Sequence, residues 1–60
     1  MTDEATEALA ASWASVDGML DQFKAGKESS DHDGYYQGYL ADAEELIRRL
    51  KIRGWELRRL

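Results

Sequence analysis

The residues of this chain that could hold a metal ion surround its single histidine. His32 stands between Asp31 and Asp33, and two carboxylates with an imidazole are a weak ligand set for a divalent cation. Consecutive residues at the start of a helix do not converge on one centre, and the stretch lacks the later ligands and terminal Glu of a calcium loop. The sequence therefore predicts a solvated helix start here and no metal site.

Nucleophilic and acid–base chemistry has equally little support. Four serines, Ser12, Ser15, Ser29 and Ser30, share no predicted helix with a histidine that could activate them, because the one histidine lies in the loop region. The acidic residues are numerous, but none forms a pair singled out for general acid and base roles. A Gly-rich phosphate loop is absent as well. We predict a protein that is not an enzyme and holds no cofactor.

The strongest chemical signal is the separation of charge along the chain. Residues 1–47 carry a net charge of −9, whereas residues 48–60, RRLKIRGWELRRL, carry +5, giving −4 in total. A basic segment bearing Trp and Leu on an acidic chain must meet either its own acidic end or a partner. This segment is the main candidate for a binding surface.

Size and composition restrict the fold to one small helical domain. The 60 residues include no Pro, and 43% of them are hydrophobic, which is enough for a folded chain. A domain of this length buries little surface, and without Cys it cannot form disulfides. Self-association or partner binding would then supply the missing stability.

Two helices are predicted, over about residues 3–24 and 31–53, with a loop over about 25–31. The first carries one apolar stripe, and Gly18 is a weak point within it, while Gly26 is placed to end it. Its stripe consists of Leu9, Trp13, Val16, Leu20 and Phe23. The stripe of the second helix consists of Tyr36, Tyr39, Ala43, Leu46 and Leu50, widened by Leu40 and Ile47.

The end of the second helix has two interpretations. Gly54 could be a left-handed cap with Trp55 folding back onto Leu50, or the helix could continue toward Leu57 and Leu60. We favour the break, which leaves residues 54–60 as a C-terminal segment.

The predicted fold is all-α: residues 1–60 form a single domain, an antiparallel helical hairpin that dimerises into a four-helix bundle. The antiparallel register places Glu7 near Arg49, so some acidic residues would pair with basic residues of the same chain. Glu44 to Arg48 and Glu45 to Arg49 are further pairs at favourable helical spacing.

The candidate partner-binding residues are apolar anchors flanked by arginines. Tyr is favoured at interfaces, and Tyr35 lies off the main stripe, whereas Tyr36 and Tyr39 are expected to fill the end of the core against Phe23. The set is Tyr35, Arg53, Trp55, Leu57, Arg58 and Arg59. The acidic face, which includes Asp17 and Asp42, could also mimic nucleic acid, although a solvated helix surface explains it equally well.

The stretch GYYQGYLADAEELIRRL, together with the short acidic chain and its lack of Cys, resembles short proteins encoded by bacteriophages. Many such proteins, anti-CRISPR proteins among them, inhibit host defence. The resemblance implies a cytoplasmic protein of the host cell that occludes a larger nucleic-acid-processing protein. It carries no family motif, so it transfers no functional residue.

Protein is the first-ranked partner, and a homodimer is predicted. A small structural module that associates only with itself is the alternative, and nucleic-acid binding through the basic segment ranks third, because the acidic body would oppose phosphates. No apolar run reaches the length of a membrane span, and the acidic N-terminus does not look like a secretory signal.

Overall fold

The structure, a computed structural model, describes residues 4–29 and 34–57 and forms three helices from them. Helix α1 spans Glu4–Val16, α2 spans Leu20–Glu28 and α3 spans Gly34–Ile52. No strand occurs in the described ranges, which confirms the all-α prediction. The sequence predicted one helix where the structure has α1 and α2, and each of the three helices contacts the other two, unlike a two-helix hairpin. The dimeric four-helix bundle stays a prediction.

A turn at residues 17–19 separates α1 from α2. Gly18 has a φ of 73°, a left-handed conformation that only Gly adopts at little cost. The Gly18 N–H donates to the Ser15 carbonyl at 3.1 Å, and the Met19 N–H donates to the Ala14 carbonyl at 2.7 Å. These two bonds form a Schellman motif, which satisfies carbonyls that the helix end would otherwise leave unpaired. The predicted weak point is therefore a helix end.

Helix α2 begins directly after this turn and runs past the position where the sequence predicted its end. The Phe23 N–H donates to the Met19 carbonyl at 2.9 Å, so the first turn of α2 starts from the last residue of the Schellman motif. Gly26, predicted to end the helix, lies buried inside it. Gly26 is therefore an interior residue of α2 and does not cap the helix.

The buried face of α1 consists of small side chains. Thr6, Ala10 and Ala14 recur every four residues, and both alanines are 0% exposed. The predicted stripe is wrong for Trp13 and Val16, which are 38% and 85% exposed. Alanines let a neighbouring helix approach closely, so the face with the smaller side chains packs inward and the larger apolar residues remain at the surface.

Aromatic rings join α2 to α3. The Phe23 ring centroid lies 5.1 Å from that of Tyr36 and 6.3 Å from that of Tyr39, and the second pair is edge-to-face. Tyr36, Leu40 and Ala43 form the buried face of α3. The prediction that Tyr36 and Tyr39 pack against Phe23 is confirmed. Among the described residues no large side chain is completely buried, so this core is thin.

Candidate functional site

The C-terminal end of α3 is fixed by a second Schellman motif. Gly54 has a φ of 86°, its N–H donates to the Lys51 carbonyl at 3.0 Å, and the Trp55 N–H donates to the Leu50 carbonyl at 2.9 Å. The helix ends here and does not continue through Gly54. The backbone that carries Trp55 is therefore hydrogen-bonded to the last turn of α3.

Large apolar side chains are exposed at this turn. Trp55 is 70% exposed, Ile52 is 77% exposed and Leu57 is 42% exposed. Single exposed apolar residues are common, but several together on a hydrogen-bonded turn are typical of an interaction site. We call residues 52–57 the docking segment. The predicted site residues Arg58 and Arg59 lie outside the described residues.

Arginines accompany the docking segment on the last turns of α3. The Arg49 Nε donates to the Glu45 Oε1 at 2.8 Å, which confirms that predicted pair. Arg48 also pairs with Glu45, where the sequence predicted Glu44. These contacts, chiefly the hydrogen bond from Arg49, hold the pKa of Glu45 below its ordinary value.

Arg53 lies against the end of its own helix. Its Nη1 donates to the Arg49 carbonyl at 3.3 Å, where a cation interacts favourably with the negative end of the helix dipole. The exposed arginine is thus oriented beside the exposed anchors of the docking segment. Positive charge and exposed apolar side chains thus occur within the same six residues, together with the acid Glu56.

The predicted pair of Glu7 with Arg49 is wrong. Glu7 instead pairs with Lys27 of α2, and this contact raises the pKa of Lys27. The physical reason is the break at Gly18, which folds α2 back toward the start of α1 and brings a nearer cation to Glu7. The positive end of α3 is consequently not neutralised by Glu7.

A second surface lies where α1 meets the first half of α3. An open groove of about 400 Å³ is walled by the side chains of Trp13, Tyr35 and Tyr39 and carries two carboxylates. A Cβ added at Gly38 would meet nothing within 4 Å, so the glycine leaves this surface open. We call it the aromatic groove. Its lining residues are Trp13, Asp17, Gly34, Tyr35, Gly38, Tyr39 and Asp42.

A hydrogen bond joins the turn after α1 to α3 beside the groove. The Tyr39 hydroxyl donates to the Asp17 Oδ2 at 2.8 Å. Of the groove residues, the sequence predicted only Tyr35 as an interface residue. It assigned Trp13 and Tyr39 to the core and left Asp17 and Asp42 on a general acidic face. The sequence signal that could have indicated the groove is Asp17-Gly18. A helix that ends there places Asp17 in the groove.

The Tyr39–Asp17 hydrogen bond predicts a pH-dependent contribution to stability. The Asp17 carboxylate raises the pKa of Tyr39 above its ordinary value of 10.0. A raised folded-state pKa stabilises the fold below pH 10, and this contribution is lost as the pH rises through the raised pKa. In a spectrophotometric titration we expect Tyr39→Phe to remove a tyrosine ionisation whose pKa lies above 10.0. Asp17→Asn should bring that pKa down, and an unchanged titration would contradict the contact.

Within residues 4–29 and 34–57, no group of three or more His, Cys, Asp or Glu side chains is arranged to hold a metal ion. The predicted solvated site around His32 lies outside these ranges. None of the described helices combines the length and the apolar character that crossing a membrane requires.

Comparison with known proteins does not place the chain in a family. No protein-family model, no curated protein and no solved structure matches it. Its function is therefore argued from the docking segment and the aromatic groove.

Proposed function

We propose that this chain is a non-enzymatic protein-binding module that engages its partner through the docking segment. The observation that carries the proposal is the 70% exposure of Trp55 on a backbone hydrogen-bonded to α3. Trp is among the residues that contribute most to binding energy at protein interfaces. A backbone held in place before binding loses less conformational entropy when the complex forms.

The charges beside the anchors indicate the kind of partner surface. Arg49 lies on the last turn of α3, where it pairs with Glu45, and Arg53 follows the end of the helix. Glu7, the acid predicted to oppose Arg49, pairs with Lys27 instead. Charged residues at the edge of an interface mainly steer association and select partners. The partner surface that fits is an acidic one with an apolar recess for Trp55 and Leu57.

The alternative functions differ in the partner that the docking segment would bind. A structural module that associates only with itself uses the same exposed residues. Nucleic-acid binding would instead depend on the arginines, and it requires binding to a random duplex that weakens steeply with salt. Occlusion of a larger nucleic-acid-processing protein, which the bacteriophage resemblance implies, stays a prediction.

Substitution of the anchors tests the proposal. We expect the double variant Trp55→Ser, Leu57→Ser to fold as the intact chain does, because both side chains are exposed. In affinity capture from extracts of the organism that encodes it, this variant should lose the protein that the intact chain retains. Val16→Ser is the matched control, because Val16 is 85% exposed on α1 and lies outside the docking segment.

Two results would contradict the proposal. Equal capture by the double variant and the intact chain would show that the docking segment does not bind. A loss of helical circular dichroism in the double variant would show that Trp55 and Leu57 belong to the fold.

A further inference from the structure

We propose that the partner of the docking segment is a second copy of this chain, and that the segment binds the aromatic groove of that copy. In this arrangement two α3 helices lie antiparallel about a two-fold axis at Leu46. The inference rests on the proposed function, since it uses the same anchors. It adds the identity of the partner, the surface that receives the anchors and the register between the two chains.

One exposed face of α3 contains elements of both surfaces. Its residues recur at spacings of 3, 4, 4, 3 and 4, which places them on a single face of a helix. This face lies beside the buried one, and all of its members are exposed. They are Tyr35, Gly38, Asp42, Leu46, Arg49 and Arg53.

The order of residues along this face is self-complementary. The aromatic and acidic residues occupy its first half, Leu46 stands at the middle with 38% of its surface exposed, and the arginines occupy its second half. A two-fold interface brings the same patch of both chains together, with each half opposite the other half. Antiparallel pairing therefore places Asp42 of one chain beside Arg49 of its partner, whereas parallel pairing would oppose like charges.

The distances along α3 agree with this register. Gly38 and Gly54 are each eight residues from Leu46 in sequence, or about 12 Å at 1.5 Å per residue. When the two Leu46 side chains meet, the groove around Gly38 faces the turn at Gly54 of the other chain. Gly38 presents no side chain in the groove, so the incoming turn can approach closely.

The chemistry of the groove suits the segment that this register brings to it. Aromatic faces such as those of Trp13 and Tyr35 attract a guanidinium, and the Asp17 and Asp42 carboxylates lie among them. Arg53 supplies the guanidinium, and Trp55 supplies apolar area for the aromatic walls. Arg53 thus matches the groove carboxylates in charge, and Trp55 matches the aromatic walls in apolar character.

A single chain does not make these contacts itself. Gly38 and Gly54 are about 24 Å apart along one helix, so the groove and the turn lie toward opposite ends of α3. Trp55 remains 70% exposed, which shows that the segment does not fill the groove of its own chain. A second copy can cover both surfaces at once.

Disulfide cross-linking tests the register, because the chain contains no Cys of its own. A disulfide requires Cβ atoms about 3.5–4.5 Å apart, so it reports on specific contacts. Under mild oxidation, a mixture of Gly38→Cys and Arg53→Cys chains should form the mixed dimer in large excess over either self-dimer. Leu46→Cys, which keeps every charged group, should cross-link to itself. Val16→Cys is the control for random collision.

Cross-linking of Leu46→Cys no greater than that of Val16→Cys would overturn the inference. Preferential self-dimers of Gly38→Cys would also overturn it, since they indicate parallel helices or a two-fold axis at Gly38 instead of Leu46. If cross-linking fails while capture of another protein still depends on Trp55, the self-binding inference is wrong and the proposed function is supported. If neither cross-linking nor capture depends on the docking segment, both the self-binding inference and the proposed function are wrong.

Discussion

Phe23→Ala is expected to remove most of the stability of this domain. Phe23 is 2% exposed and is the ring against which Tyr36 and Tyr39 both pack. Truncation of a buried Phe costs about 3–5 kcal/mol, whereas a domain of this length has a free energy of unfolding of about 3–9 kcal/mol. We expect the variant to lose its cooperative urea unfolding transition, followed by far-UV circular dichroism.

The matched control for this substitution is Val16→Ala. Val16 is apolar but 85% exposed, so its truncation should change the free energy of unfolding by no more than about 0.5 kcal/mol. The core described above would be wrong if Phe23→Ala unfolded at the same urea concentration as the intact chain.

Gly18→Ala is expected to destabilise the fold by about 1–2 kcal/mol. The cost arises from the backbone, because Gly18 has a φ of 73° and an L-residue with a Cβ is strained there. It does not arise from crowding, since a Cβ at this position would meet nothing within 4 Å. The free energy of unfolding from urea titration measures the change.

Gly38→Ala is the matched control and should have the opposite sign. Gly38 lies inside α3 and its added Cβ also meets open space, but its φ is not positive. Alanine there should stabilise the helix by about 0.5–1 kcal/mol at concentrations where the chain is a monomer. Stabilisation of both variants would mean that the helix runs continuously through residues 17–19, as the sequence predicted.

The helix break shows why periodicity predicted only part of the fold. Leu9, Trp13, Val16, Leu20 and Phe23 continue at helical spacing across Gly18, so the pattern predicts one helix. Periodicity carries no information about φ, and two short helices that fold onto each other can both use parts of one stripe. At Gly54 the stripe is interrupted by Arg53, and there the sequence correctly favoured a cap.

The inner face of α1 was missed for a related reason. A pattern that gives weight to large apolar residues selects Trp13 and Val16, but close helix packing favours Ala10 and Ala14. The cap at Gly54 was predicted, but it was paired with Trp55 folding back onto Leu50, whereas the Trp55 side chain is 70% exposed. The aromatic groove could not be predicted from the sequence. It requires Asp17, just after α1, to reach Tyr39 on α3, and this depends on the helix break at Gly18.

The central claim is that Trp55 and Leu57 bind a protein surface, and that this surface belongs to a second copy. Sedimentation equilibrium of the intact chain and of the Trp55→Ser, Leu57→Ser variant tests it most directly. We predict that the mass of the intact chain rises from one copy toward two with increasing concentration, while the variant keeps the mass of one copy and its helical circular dichroism. An intact chain that remains a monomer throughout, or a variant that associates as strongly as the intact chain, would contradict the claim.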